Sequence, residues 1–318
     1  MPTPPMQKRR LVSGPAACRV CAAASARWLF RKKQKDFFQC RHCSLVWFEP
    51  PPTPKDLQQH YRDRSLRGNY MLGKSIERIT NDQDVLAFTL CFHSSRAKGR
   101  KARIFDIGCL FGQFLDLAAA QGMEVWGLEL QPDAARVAAQ RHANRIFCSS
   151  VEEFDERAAS LSGQMDMVVA SGVLEHTLKP ETLFALASRL LKPGGFLILQ
   201  TPNHASWLRW FLGRYWPCYA VPEHTYYFSP ACIRKLGEKY DFTRARFKAH
   251  LKTLRIGYVL NQLEFFGQEI AFLLRPLAEC LPKAILSLRL PFYGGEMLVC
   301  LQKANKVKTF SVTKKRKK

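Results

Sequence analysis

The 318-residue chain carries 49 Lys and Arg against 26 Asp and Glu, a net charge of +23 at pH 7, and 47% of its residues are hydrophobic. That length allows one core of about 200 residues with small attachments, and no uninterrupted apolar run reaches the ~18 residues of a membrane-spanning helix. Much of the charge sits at the ends: residues 1–50 hold ten Lys or Arg against two acids, and residues 303–318 hold eight against none, which leaves +7 for the rest.

The start, MPTPPMQKRRLV, is basic but lacks the apolar stretch of a secretory signal, so a cytoplasmic location is expected. Within residues 1–50, Cys18, Cys21, Cys40 and Cys43 form two Cys-x-x-Cys pairs 18 residues apart, the spacing of a tetrahedral zinc ribbon. Four thiolates close the shell around Zn²⁺, so the metal is expected to be structural. Unliganded core thiols are the alternative. The seven other cysteines stand in apolar contexts and read as core thiols of a reducing compartment.

PPPTP at residues 50–54 separates the ribbon from a polar, helical-looking segment. Residues 51–100 are therefore expected to be a helical lid or linker, with Tyr61 and Tyr70 as candidate aromatic lid residues. The body, residues 101–303, begins with IFDIGCLFGQF. This is a short buried strand, a turn bracketed by Gly108 and Gly112, and a helix start. Glycine lets the backbone turn sharply and lets a ligand lie almost on the main chain. EVWGL is a second strand, and Glu129 at its end can accept hydrogen bonds from ribose hydroxyls. The Asp-x-Gly-x-x-x-Gly spacing favours S-adenosylmethionine over a dinucleotide. MDMVVAS, the helical stretch from VLEH, the turn KPGG and the strand FLILQTPN continue a βαβα alternation, which predicts a parallel doubly wound sheet.

Together, DIGCLFG, Glu129, VLEH at 173–176 and LKPGGFLILQTPN at 191–203 resemble a class I S-adenosylmethionine-dependent methyltransferase. The resemblance implies a Rossmann-like seven-stranded α/β sheet with an antiparallel last strand, for which PFYGGEMLVCLQK is the candidate. It also implies that Asp106, Gly108 and Gly112 line the methionine end and that Glu129 holds the ribose. Ser150 and Val151 would lie near the adenine, and Ser171 would follow the fourth strand. Cys109 and Leu110 stand where most relatives have glycine or a small residue. With its ribbon, the chain is similar to bacterial small-molecule methyltransferases, including sugar C-methyltransferases, without their large carboxy-terminal domain.

An aromatic-rich insert, SWLRWFLGRYWPCYAVPEH, opens a lid expected at about 204–290; Trp207, Trp210 and Trp216 are read as packing within it. Leu260, Leu263, Ile270 and Leu274 keep near-helical spacing. Methyl transfer needs little beyond positioning and removal of a proton, and histidine is the natural base. His224, in PEHTYYFSP, resembles the histidine proposed as base in the zinc-ribbon enzymes, with Glu223 able to orient it; a local structural role is the alternative. His176 overlooks the same edge, and His204 reads as a loop residue.

The leading function is methyl transfer to oxygen or carbon of a small molecule such as a sugar or a quinone-like or envelope metabolite. The runner-up is an RNA methyltransferase gripping phosphates through ribbon and termini, although no Asn/Asp-Pro-Pro-Tyr/Phe motif follows the fourth strand. A non-enzymatic binding protein is the third reading. Residues 304–318, ending KKRKK, read as a disordered basic tail that touches RNA, anionic membrane or only solvent.

Overall fold

The computed structural model describes residues 17–53, 55–57, 59, 76–93, 100–154, 158–261, 272, 276 and 280–305. Tyr61, Tyr70, Leu263, Ile270, Leu274 and residues 306–318 lie outside that set.

β1 (Ala26–Lys32), β2 (Lys35–Cys40) and β3 (Val46–Glu49) form an antiparallel meander behind the first cysteine pair. Its fourth strand comes from nearly 180 residues later: β9 (Tyr226–Tyr227) pairs with β3 through Val46↔Tyr227 and Trp47↔Tyr226. The ribbon is thus stitched into the body by backbone hydrogen bonds.

The larger sheet contains β4 (Arg103–Ile107), β5 (Glu124–Glu129), β6 (Ile146–Cys148), β7 (Met165–Ser171), β8 (Leu191–Pro202), β10 (Phe242–Arg255) and β11 (Arg289–Lys303). Their order is β10-β11-β8-β7-β4-β5-β6. β4 to β8 run parallel, and β11 is antiparallel to both β8 and β10. This is the Rossmann-like sheet with an antiparallel last strand expected from the sequence. Strand order reverses at β4, which pairs with β5 and β7, and ligands of such sheets bind where the carboxyl ends diverge.

Residues 204–290 are not all lid. Phe242–Arg255 enters the sheet as edge strand β10, and only Phe242 and His250 of it are buried. Its segment ARFKAHLK, residues 245–252, alternates apolar and polar residues, a strand pattern that the lid reading passes over. β10 and β11 continue paired to Arg255↔Arg289, whereas β8 pairs with β11 only through residues 296–302. The two strands therefore project past the carboxyl edge as an arm.

Alternation along the strands fills two apolar layers. Phe105, Val168, Leu197, Leu199 and Val299 join one cluster, and Ile104, Met167, Ile198 and Leu298 join the other. The first layer also contains Cys18, Cys40, Cys43 and Trp47, so ribbon and body share a core. A third cluster joins Phe37, Val46 and Phe48 of the ribbon to Trp216, Tyr219 and Tyr227. Tyr227 is fully buried there. Tyr227→Ala is expected to cost about 3–5 kcal/mol in denaturant unfolding, as for other large aromatic truncations. A loss below about 1 kcal/mol would show that the ribbon contact is not part of the cooperative core.

Candidate active site

The cofactor-type turn follows β4. Gly108 and Gly112 have φ of 80° and 83°, which disfavour any side chain. A Cβ on Gly108 would also meet Val173 Cγ2 at 2.5 Å. The Gly108 and Cys109 amides donate to the Leu128 carbonyl at 2.7 and 3.1 Å, which ties the turn to β5. Cys109 fits because Gly127 leaves room: a Cβ there would lie 2.6 Å from its Sγ. Leu110 takes a left-handed φ of 48° without being glycine. Arg141 holds the turn from outside, donating to the Phe111 carbonyl and, at 2.9 Å, to Asp116.

Glu129 ends β5 buried. Its Oε2 accepts from the Leu110 amide at 2.9 Å and its Oε1 from the Gln131 amide at 2.7 Å. Burial pushes its carboxyl up despite those donors. Asp106 is pushed well above the carboxylate range, first by burial and then by Asp82, with Arg78 opposing and Glu129 adding to the rise. Asp82 and Arg78 belong to helix Ile76–His93 and pair at 3.2 Å. Neither belongs to a sequence motif. Their only local signal is an i,i+4 ion pair in a segment read as lid or linker. Among the described residues, Asn81 Oδ1 is buried without a hydrogen-bond partner. The edge thus gathers three buried carboxylates, Asp82, Asp106 and Glu129, around the Arg78 guanidinium.

Ser150, Val151 and Ser171 lie after β6 and at the end of β7, along this same edge. Ser150 Oγ accepts from the Glu153 amide at 3.2 Å, and Ser171 Oγ donates to Gln200 Oε1 at 2.9 Å. Gln200 continues to Glu296, which Lys252 of the arm pairs with at 2.6 Å. Lys252 and His250 together outweigh burial and hold the Glu296 carboxyl below its usual range. Lys252 lies on β10 and Glu296 on β11, and no motif in the sequence joins the two.

Two histidines meet over the edge. His176 closes the 3₁₀ turn Leu174–His176 after β7, and its ring contacts that of His224 edge-on, with centroids 4.7 Å apart. His224 Nδ1 lies 2.8 Å from the Cys218 carbonyl, which can only accept. Nδ1 therefore carries a hydrogen, and in the neutral ring the lone pair belongs to Nε2. The Cys218 carbonyl thus holds the ring from Nδ1. The carboxylate that joins the pair is Glu175, whose ligand atom lies within 4.8 Å of one on each histidine. Glu175 is fully buried, accepts from Thr201 Oγ1 at 3.0 Å, and is pushed up to about 7 by burial.

His204 lies in the turn after β8, as a loop residue, and is buried there 2.9 Å from the Tyr219 hydroxyl. Of the three tryptophans expected to pack in a lid, only Trp216 does; Trp207 and Trp210 are exposed. A cavity of about 240 Å³ lined by Phe92, Phe196, Arg244, Arg246 and Cys300 lies towards the start of β8, away from this edge.

In the ribbon, Cys18 and Cys43 Sγ lie 3.4 Å apart and Cys21 and Cys40 Sγ 3.5 Å apart, so the four sulfurs could hold one metal ion. The His42 and Cys43 amides both point at Cys40 Sγ, each at 3.4 Å. Lys235 and Lys239, at the end of helix Pro230–Glu238, donate to the carbonyls of His42 and Val20 and clamp the knuckles to the body.

A family profile described as a methyltransferase domain matches residues 78–245, more than half of the chain. The chain belongs to this methyltransferase family. Its sheet order and antiparallel β11 are those of the class I fold. Among curated proteins it is similar to a ubiquinone biosynthesis O-methyltransferase of Xanthomonas oryzae pv. oryzae, 32% identical over 117 residues, covering 36% of this chain and 48% of the relative. It is equally similar to the enzyme of that name from Escherichia coli O127:H6, 32% identical over 129 residues, covering 39% and 53%. The methyltransferase thus spans about half the length of these relatives. Among solved structures it is similar to S-adenosylmethionine-dependent methyltransferases of Thermotoga maritima (17% identity, TM-score 0.48, covering 77% of this chain and 99% of that one) and Archaeoglobus fulgidus (19%, 0.44, 77% and 99%). No helix among the described residues is long and apolar enough to cross a membrane.

Burial depresses the His204 imidazole to about 3, helped by the nearby Arg209 and Arg27 charges. Unfolding lets it bind a proton at any pH between that value and the ordinary ~6.5. Its contribution to stability is therefore present above about 6.5 and is lost as pH falls towards 3. His204→Asn is expected to flatten the acid limb of stability against pH in that window; an unchanged slope in urea titrations would show that His204 is not buried neutral.

Proposed function

We propose that the methyltransferase uses S-adenosylmethionine to methylate an oxygen or carbon of a small molecule, with His224 as base. What supports this reading is one juxtaposition: a positive-φ glycine turn surrounded by buried carboxylates lies on the same sheet edge as a histidine whose Nδ1 is held by a backbone carbonyl.

The donor set suits the cofactor. Three carboxylates and one guanidinium leave the turn short of positive charge, and a ligand bearing a sulfonium and an ammonium meets that deficit. Asp106, Gly108 and Gly112 would hold its methionine end, Glu129 the ribose hydroxyls, and Ser150 and Val151 the adenine. Ser171 would stand near the reacting methyl. When bound, the cofactor supplies an electrophilic methyl group and a neutral thioether leaving group.

The protein's part is to position the acceptor and take its proton. The Cys218 carbonyl holds the His224 ring, so Nε2 can receive the proton from a hydroxyl or an acidic carbon. His176, stacked edge-on against it, restricts its rotation and lines the acceptor site. Glu175, raised towards neutrality, sits behind both rings and can favour the imidazolium once it forms. The O-methyltransferase names of the curated relatives support oxygen as acceptor and a quinone-like compound as its class. Structural Zn²⁺ on Cys18, Cys21, Cys40 and Cys43 completes the reading, since a two-pair thiol site with all four sulfurs converging leaves no open position for substrate.

Calorimetry is expected to show S-adenosylmethionine binding that Asp106→Ala and Glu129→Ala each weaken at least about tenfold; no binding by the wild-type chain would sink the proposal. His224→Ala should keep cofactor affinity and lose about 10²–10⁴ in turnover. Turnover within a few-fold of wild type would remove His224 as base. One equivalent of zinc is expected on purification. Its chelation should lower the melting temperature and also turnover, because β9, which pairs with the ribbon, follows directly on His224. Metal-free protein with full stability would rule out the zinc assignment.

A further inference from the structure

We propose that the rim formed by helix Trp207–Leu212 and the β10–β11 arm docks on an anionic lipid bilayer. Trp207, Trp210 and Phe211, all on that one short helix, are 65%, 79% and 75% exposed. Trp207 stacks on Tyr293 of the arm with centroids 5.8 Å apart, and Tyr293 pairs with exposed Leu251. Leu288 and Leu290 extend the apolar surface along the arm, each about half exposed. A connected cluster of this size in water marks an interaction surface rather than scattered exposure.

Charge selects the occupant. Residues 204–222, 251–261 and 280–295 contain six Lys or Arg and no Asp or Glu. Lys252 and Arg255 are engaged by Glu296 and Glu77, but Arg214, Lys283 and Arg289 stand exposed among the apolar residues. Aromatic rings at the headgroup level, aliphatic side chains below them and cations facing acidic headgroups are what an interfacial surface requires. Single-stranded RNA would also accept cations and rings. It offers nothing to Leu251, Leu288 and Leu290, which have no face on which a base could stack.

The rim is coupled to the site. Trp216 Nε1 donates to the Gly294 carbonyl of the arm at 3.0 Å, and Cys218, two residues on, is the partner of His224. A bilayer seated on this surface faces the edge that carries the histidine pair, so an acceptor with an apolar tail could be presented without leaving the membrane. The surface itself rests on exposure and charge alone and stands whatever the acceptor.

The test uses the full chain with vesicles of phosphatidylcholine alone or mixed with phosphatidylglycerol, followed by flotation and tryptophan fluorescence. Wild type is expected to float with the mixed vesicles, with blue-shifted emission, and less with the neutral ones. The double variant Trp210→Ser/Phe211→Ser should lose about tenfold or more in partition at an unchanged melting temperature. Should that variant not fold, Leu288→Ser/Leu290→Ser carries the same expectation. Wild type that stays unbound at low salt, or a folded variant that partitions like wild type, overturns the proposal. It is also overturned if the variant keeps vesicle binding and loses a labelled single-stranded RNA oligomer, which would assign the rim to RNA.

Discussion

Two backbone pairs, Val46 with Tyr227 and Trp47 with Tyr226, hold the molecule's working parts together. They fix the segment that carries His224 against a module folded around four cysteines at the other end of the chain. Tyr227 then fills the third core beside Phe37, Phe48, Trp216 and Tyr219. A histidine carried by an irregular segment needs such an anchor, since a two-residue strand has no stability of its own. In this methyltransferase the ribbon acts as scaffolding for the segment that carries His224, and its influence on that segment runs through packing.

The cofactor side is organised by electrostatics. Burying Asp106, Glu129 and Asp82 around one arginine costs free energy in the empty protein, visible as carboxyls pushed upward by desolvation. Such an arrangement favours a ligand that brings positive charge and hydroxyl donors. The turn's geometry is kept by reciprocal accommodation: Gly127 makes space for Cys109, and the Leu110 amide, in a left-handed residue, donates to Glu129.

The arm and the aromatic segment link surface to site. Gly295 has φ of 83°, and a Cβ there would lie 2.6 Å from Trp216 Nε1, so the close approach of the arm to the Trp216 segment depends on glycine. Through Trp216, Cys218 and His224 the same few residues join the core, the histidine pair and the edge of the exposed rim. Their aromatic composition therefore reports neither a simple lid nor a simple core.

Much was legible from local pattern. Asp106, Gly108, Gly112 and Glu129 declare themselves because a strand, a glycine turn and a terminal acid are contiguous and each has a backbone reason. The cysteine quartet does so through spacing, and β11 through its apolar run. β10 carries the apolar–polar alternation of ARFKAHLK at 245–252, but it buries only Phe242 and His250, and nothing in the pattern tells a sheet edge from a covering segment. Arg78, Asp82, Lys252 and Glu296 are ordinary charged residues until the chain folds them onto one edge. The partner of His224 is a backbone carbonyl, which no side-chain pattern can announce. The amino-acid sequence by itself determined the parallel strands, the turn and the thiol cluster, because each follows from periodicity or short-range spacing. Which tryptophans are buried, which acid meets the histidines and where the ribbon attaches were decided only by tertiary structure, because these depend on contacts between segments from nearly 50 to 180 residues apart.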